Sequence, residues 1–231
     1  MITFSKNLIN RFLGLFNYRI SKISNSHELF KIHKYKDYEE YKKTQIFFNK
    51  KKETHVWSDE ENLTKISEYI NKTMGDKKIN GICHGTRNGF EQKIFLKLIK
   101  NSKIIGTEIS DTASKYENTV QHDFHDEKKE WISFFDFVYS NSLDQSYDPK
   151  LAISRWLDQL KINGYLILEH SEQSGVASSG KMDPFGVEAS IFPYVLCDWF
   201  GHKISISILK SIKKNKSNSP IWIFFIKKIT I

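Results

Sequence analysis

The residues able to do chemistry sit at fixed distances along positions 81–170. The stretch GICHGTRNGFE at 81–91 holds Gly85 and Gly89, with Cys83, His84, Thr86 and Arg87 around them. Glycines there let the backbone turn tightly and approach a ligand, and a helix opening behind them aims free amides into the gap. Nineteen residues past Gly89, Glu108 and Ile109 close a second apolar run, IIGTEIS. An acid at that distance can accept hydrogen bonds from the ribose hydroxyls of a nucleoside. His122-Asp-Phe-His125 has the spacing of a metal pair, but an extended segment cannot aim both imidazoles at one ion, so surface or core histidines are the commoner outcome. No metal site is expected.

These residues need elements to place them. From Lys78 onward, short apolar runs alternate with helical stretches. Strands are expected at 79–83, 103–108, 119–122, 137–140 and 165–169, with helices at 90–100 and 150–160. That alternation argues for βαβ units and a parallel sheet covered on both faces. Residues 171–190 are loop formers, 191–200 can form a helix, and 203–209 with 220–228 read as a terminal hairpin. Upstream, Ser58 to Glu61 (SDEE) has the pattern of a capping box, opening a helix that runs to Met74 and ends at Gly75. Residues 27–52 read as helical or irregular. Residues 4–23 carry an apolar stripe (Phe4, Leu8, Phe12, Leu15, Phe16, Ile20 and Ile23) flanked by Lys and Arg without an acid.

Charge is distributed as unevenly as chemistry. The 231 residues carry a net charge of +8. Residues 1–52 hold 12 Lys+Arg against 4 Asp+Glu, and residues 203–231 hold 7 Lys and no acid, so two basic arms flank an acidic centre. The arms suit docking on a protein partner, on a second copy of the chain, or on an anionic membrane surface, while the centre suits a cationic ligand. Two separated cysteines, Cys83 and Cys197, exclude a disulfide framework and fit a reducing cytosol. The longest apolar run, 221–226, is too short to span a bilayer, and the N-terminus does not read as a secretory signal, so a cytoplasmic protein, at most peripheral to a membrane, is expected.

The order of pieces resembles the class I S-adenosylmethionine-dependent methyltransferases over about residues 75–231. NAD also suits a glycine loop followed by an acid, but the G-x-G-x-x-G fingerprint is absent: Arg87 stands where a middle glycine would sit. The resemblance implies that Gly85, Thr86 and Gly89 cradle the methionine part of S-adenosylmethionine. It implies Glu108 and Ile109 at the ribose, Asp123 and Phe124 (in VQHDFHD) at the adenine, and Asn141 and Ser142 (in FDFVYSNSLDQSYDP) over the methionine moiety. LKINGYLILEHS, with Gly164 in its turn, resembles the family's fifth strand. The family commonly has an acid where this chain has Cys83, and Arg87 adds bulk and positive charge beside a cationic cofactor.

The expected fold is therefore α/β: a Rossmann-like, mostly parallel sheet of seven strands ending in an antiparallel hairpin, at 76–231. A basic helical segment, 1–75, precedes it. Methyl transfer asks chiefly for positioning, and an alcohol or phenol acceptor gains from a general base. His170, closing the fifth strand, is the preferred base and His84 the second candidate. The acceptor is expected to be a small hydroxylated or phosphorylated metabolite such as a sugar or polysaccharide precursor. Loop 171–190, with glycines at 175, 180 and 186 as hinges, is expected to be its lid. A nucleic-acid methyltransferase fits less well, since no D/N-P-P-Y tetrad follows the fourth strand, where Asn141-Ser-Leu-Asp144 stands. A regulatory protein that binds the cofactor without turnover also suits the changes at Cys83 and Arg87.

Overall fold

A computed structural model describes residues 29–214 and 219–230. The basic stripe at 4–23 lies outside the described residues. In chain order the elements are β1 (Phe30–Ile32), α1 (Tyr38–Lys51), α2 (Glu60–Met74), β2 (Ile79–His84), α3 (Phe90–Leu98), β3 (Ser102–Glu108) and β4 (Thr119–Gln121). They continue with β5 (Phe135–Ser140), α4 (Pro149–Gln159), β6 (Leu160–Ser171), β7 (Phe185–Val187), α5 (Phe192–Phe200), β8 (Ile204–Lys214) and β9 (Pro220–Lys228). Seven strands form one sheet in the order β4-β3-β2-β5-β6-β9-β8. The first five are parallel, and β9 runs antiparallel to β6 and β8.

Strand periodicity builds two cores from alternate residues of the same strands. Ile82, Val138, Leu166, Leu168 and Phe224 face one side, where they pack with Trp156 of α4 and Phe192 of α5. Cys83, Phe137, Tyr139, Ile167 and Phe225 face the other, against Leu63, Ile66 and Ile70 of α2 and Phe95 of α3. Each of the three α2 residues is fully buried, contributing about 1.5–3 kcal/mol per side chain. α2 thus shares the core of the sheet, and there is no break in packing at residue 75.

Three local departures from the sequence reading have physical causes. Asp59, not Ser58, caps α2, its Oδ1 accepting from the Glu61 amide at 2.8 Å, which frees the Ser58 hydroxyl to donate to Glu91 at 2.8 Å. Lys228 is buried rather than part of a basic docking arm. Its Nζ donates to the Leu157 and Leu160 carbonyls, both at 2.9 Å, and so ties β9 to the end of α4. The third is a two-stranded sheet in which β1 pairs antiparallel with β7. Three-residue strands are too short to show a period, so this sheet left no trace in the hydropathy pattern. Among the described residues no helix is long and apolar enough to cross a membrane.

Candidate functional site

In the main sheet β2 has β3 on one side and β5 on the other, so the connections leaving β2 and β5 diverge at their carboxyl ends. Open α/β sheets bind ligands in that crevice. The loop after β2 turns on Gly85 at φ 72° and opens α3 on Gly89 at φ 74°. At Gly85 a side chain is excluded twice, by backbone sign and by space: a Cβ would sit 2.7 Å from Ser142 Cβ. The Gly85 and Thr86 amides are drawn back to the Thr107 carbonyl, at 2.9 and 3.0 Å, which fixes the loop against β3.

The crevice has two ends. One is lined by Gly85, Glu108, Ile109, Asp123 and Phe124, the residues expected at the nucleoside, but α1 lies across it with Tyr41, Gln45 and Asn49. The space left is about 20 Å³, room for about one water. Its acids are already bonded. Glu108 accepts from the Arg87 amide at 3.1 Å, the Ser110 amide at 2.9 Å and the Asn49 side chain. Burial nonetheless pushes the Glu108 carboxyl up. Asp123 accepts from His125 Nδ1 at 2.7 Å and from the Tyr38 hydroxyl at 2.8 Å. Burial opposes its charge, but these bonds outweigh it and hold the carboxyl below its ordinary range.

The other end is an open cavity of about 470 Å³. Gly85, Thr86, Arg87, Asn141 and Ser142 line it, as the sequence suggested; so do Lys52, Glu91, Asp144 and Asp183, which the sequence reading did not single out. Asp144 lies four residues past β5, and Asp183 belongs to loop 171–190. Burial first, then the nearby charge of Asp183, pushes the Asp144 carboxyl up to about 7, although Ser174 donates to it at 3.2 Å. Burial raises Asp183 too, against the pull of Lys52 and Arg87. One signal was available: both acids fall where the topology brings loops to the carboxyl edge.

The two histidines expected to act as bases are corrected by their surroundings. His84 is 1% exposed, with Nδ1 at 2.8 Å from Thr107 Oγ1, Nε2 at 2.8 Å from Gln159 Oε1, and its ring stacked on Trp156. Burial lowers its pKa to about 3. His170 donates Nε2–H to the Val187 carbonyl at 2.8 Å and packs on Phe192, and burial lowers its pKa to about 4. Neither lines the cavity. A side chain at a strand end points to one face or the other, and both of these point into the packed layer beneath α4 and α5. Cys83 faces the opposite core, where burial pushes its thiol up, so its side chain does not reach the cavity. Gly89 caps α3 and lines neither end.

The lid expectation changes in kind. Met182 and Asp183 do line the cavity, but loop 171–190 is bonded to the N-terminal segment. His33 N donates to Pro184 O at 2.8 Å, Gln45 to Met182 O at 3.2 Å, and Tyr35 to Lys181 O. Gly186 is a close approach and not a hinge, since a Cβ there would meet the Gly175 carbonyl at 2.5 Å. His122 bonds to Asp126 O and His125 to Asp123 and Ser146. Among the described residues no cluster of three or more His, Cys, Asp or Glu could hold a metal.

The chain matches no protein-family model and no curated protein sequence. Its similarity is to solved structures. The 1,6-didemethyltoxoflavin-N1-methyltransferase of Burkholderia thailandensis, with bound 1,6-didemethyltoxoflavin and S-adenosylhomocysteine, superposes with a TM-score of 0.65 at 11% identity, covering 86% of this chain and 93% of that one. The plantazolicin methyltransferase BpumL, in complex with S-adenosylhomocysteine, gives 0.59 at 13% identity over 82% and 95%. The [4+2]-cyclase SpnF gives 0.58 at 11% over 73% and 81%. The chain therefore has the fold of the class I S-adenosylmethionine-dependent methyltransferases. A cyclase among its likenesses shows that this fold hosts more than one chemistry, so function rests on the site.

Proposed function

We propose that this protein is an S-adenosylmethionine-dependent methyltransferase acting on the hydroxyl of a small, hydroxylated or phosphorylated acceptor such as a sugar or polysaccharide precursor. The observation that carries this reading is the cavity itself: the glycine loop, the carboxyls of Asp144 and Asp183, and the basic Lys51, Lys52 and Arg87 all line it. The donor residues fit an adenosyl group in kind, with Glu108 for a ribose, Asp123 for an adenine, and Gly85 where a Cβ would collide. They fit in space only if α1 moves off the nucleoside end, because about 20 Å³ does not admit a base and a sugar.

When bound, the sulfonium supplies an already activated methyl group. The protein's share is to hold the acceptor oxygen in line and to remove its proton. Asp144 would accept the proton of the acceptor hydroxyl, whose oxygen would take the methyl group that the bound cofactor supplies. Burial first, and then the like charge of Asp183, keeps the Asp144 carboxylate basic, while Lys52 offsets charge at both acids and Arg87 at Asp183. The basic lining suits a phosphate or a polyol.

The test is binding followed by turnover. S-adenosylhomocysteine is expected to raise the unfolding midpoint where NAD does not, and labelled S-adenosylmethionine is expected to mark a hydroxylated acceptor from a panel. No protection by S-adenosylhomocysteine overturns the reading. Binding without product across the panel replaces it with a cofactor-binding regulator.

A further inference from the structure

The open cavity lies at the C-terminal end of α1, and a second one, of about 390 Å³, lies at its N-terminal end. That volume is in the range of small-molecule sites. Its lining is mostly rings: Tyr35, Tyr38, Tyr41 and Tyr147, with His33 beside them. None of its residues lines the open cavity, and Tyr41 alone is shared with the closed end of the crevice.

Two helix caps bring the rings together. Asp37 caps α1, its Oδ1 accepting from the Glu40 amide at 2.8 Å, so Tyr38 and Tyr41 stand three residues apart on one face of the first turn. Asp148 caps α4, accepting from the Leu151 amide at 3.0 Å, and leaves Tyr147 just outside that helix. The rings meet at steep angles: Tyr35 and Tyr41 at 5.4 Å and 70°, Tyr38 and Tyr147 at 5.9 Å and 70°, Tyr41 and Tyr147 at 4.6 Å and 61°. Rings so inclined are arranged like the walls of a box. A flat ligand needs parallel faces to stack on, whereas a compact, rounded one fits between inclined walls.

The field in this corner is acidic. Burial pushes all four phenols up, Tyr35 to about 12, so the rings stay neutral at physiological pH. The charges acting on them come from acids: Asp123 and Asp126 on Tyr38 and Tyr147, Asp148 on Tyr147, and Asp183 and Glu40 on Tyr35. Asp37 lines the cavity itself. Neutral ring faces attract cations through their quadrupoles, and Lys42 Nζ already stands 5.9 Å from the centroid of the Tyr38 ring. Lys34 also lines the cavity, but it is exposed, and its long stem can carry the ammonium into water.

We propose that this cavity is a binding site for a methylated organic ammonium of the choline class, its N-methyl groups against the tyrosine rings and its charge balanced by Asp37. A quaternary ammonium is compact and rounded, as the inclined rings require, and has no N–H group that needs a hydrogen-bond acceptor. The site is separate from the crevice and stands independently of the functional reading above.

Charge and shape are separated by titrating the full chain with choline and with its uncharged isostere, 3,3-dimethylbutan-1-ol, each followed by calorimetry. Choline is expected to saturate one site and to bind at least about tenfold more tightly than the isostere. Tyr147→Leu should weaken choline about tenfold and Tyr147→Phe by no more than about twofold, since the ring and not the hydroxyl is the contact. Asp37→Asn keeps an equally good cap for α1 while removing the charge, and should weaken choline about two- to fivefold. Lys34→Gln should tighten it by a similar factor. Failure of choline to saturate by about 10 mM overturns the proposal, as does equal affinity for the isostere, which would make the cavity merely apolar. Unchanged choline affinity in Tyr147→Leu, or competition between choline and S-adenosylhomocysteine, overturns it by placing choline elsewhere. Should Tyr147→Leu fail to fold, Asp37→Asn and the isostere comparison decide.

Discussion

The two ends of the crevice are built from the same strand ends yet stand in opposite states. At the closed end the carboxylates are satisfied by their own chain: Asn49 and two amides hold Glu108, and Tyr38 and His125 hold Asp123. At the open end buried polar atoms wait, with Glu91 Oε2 and Thr86 Oγ1 unpaired and Asp144 pushed up by burial and then by its neighbour Asp183. A ligand entering the first end must displace internal partners and gains only the difference. A ligand entering the second relieves a standing cost. Affinity should therefore be concentrated at the open end, and selectivity at the closed one.

The largest effect should come from the acid pair. Asp144→Asn is expected to lower turnover about 10²–10⁴-fold while S-adenosylhomocysteine binding stays within a few-fold, read by steady-state rates beside calorimetry. The pH dependence has a definite sign. Asp144 is raised, so below about 7 it is protonated and cannot accept a proton, and the rate should rise with pH through that region. Asp183→Asn removes the like charge and should move that rise to lower pH. A rate profile unmoved by either substitution would put the base elsewhere.

Next in size is Glu108→Ala, expected to weaken S-adenosylhomocysteine by about 1.5–3 kcal/mol, since an anionic acceptor is lost at the closed end. Undiminished affinity would show that Glu108 serves only the loop. His84 lies beneath both ends and sharpens the contrast between support and chemistry. Its folded pKa of about 3 is below the unfolded value, so the unfolded chain takes up the proton first and stability falls as pH drops below about 6.5. His84→Asn should flatten that slope by about 1.4 kcal/mol per pH unit, measured by urea unfolding between pH 6 and 4. The smallest effect is expected from Asn49→Ala. Freeing Glu108 of an internal partner should strengthen S-adenosylhomocysteine by about 1 kcal/mol and speed its association. Weaker binding would instead make Asn49 a ligand-contacting residue.

The sheet was legible because its signals are local. Five apolar runs interrupted by helical stretches specify parallel βαβ units, and Gly85 and Glu108 mark the ends of the first two. Which way a strand-end side chain points was not legible. His84 and His170 have the residue type of a base, but a shift of one position sends a side chain to the other face, and here both enter the packed layer. The acids that do reach the cavity come from loops without a repeating pattern. Glu91 was hidden for a different reason: a charged residue in a first helical turn reads as an ordinary dipole-favoured surface acid, and only the packing of Ser58 and Asn141 around it shows that it is buried.

The pairing of β1 with β7 joins residues about 150 positions apart through six or fewer residues of strand. Contacts of such sequence separation are slow to form, because the chain between them must be ordered before they are rewarded. The N-terminal strap and the loop that carries Asp183 should accordingly fold last and exchange their amide hydrogens together, as one cooperative unit of lower stability than the central sheet. Substitutions around Phe30 would then act at a distance, loosening the Asp183 loop of the open cavity and the helix over the closed end in the same opening event.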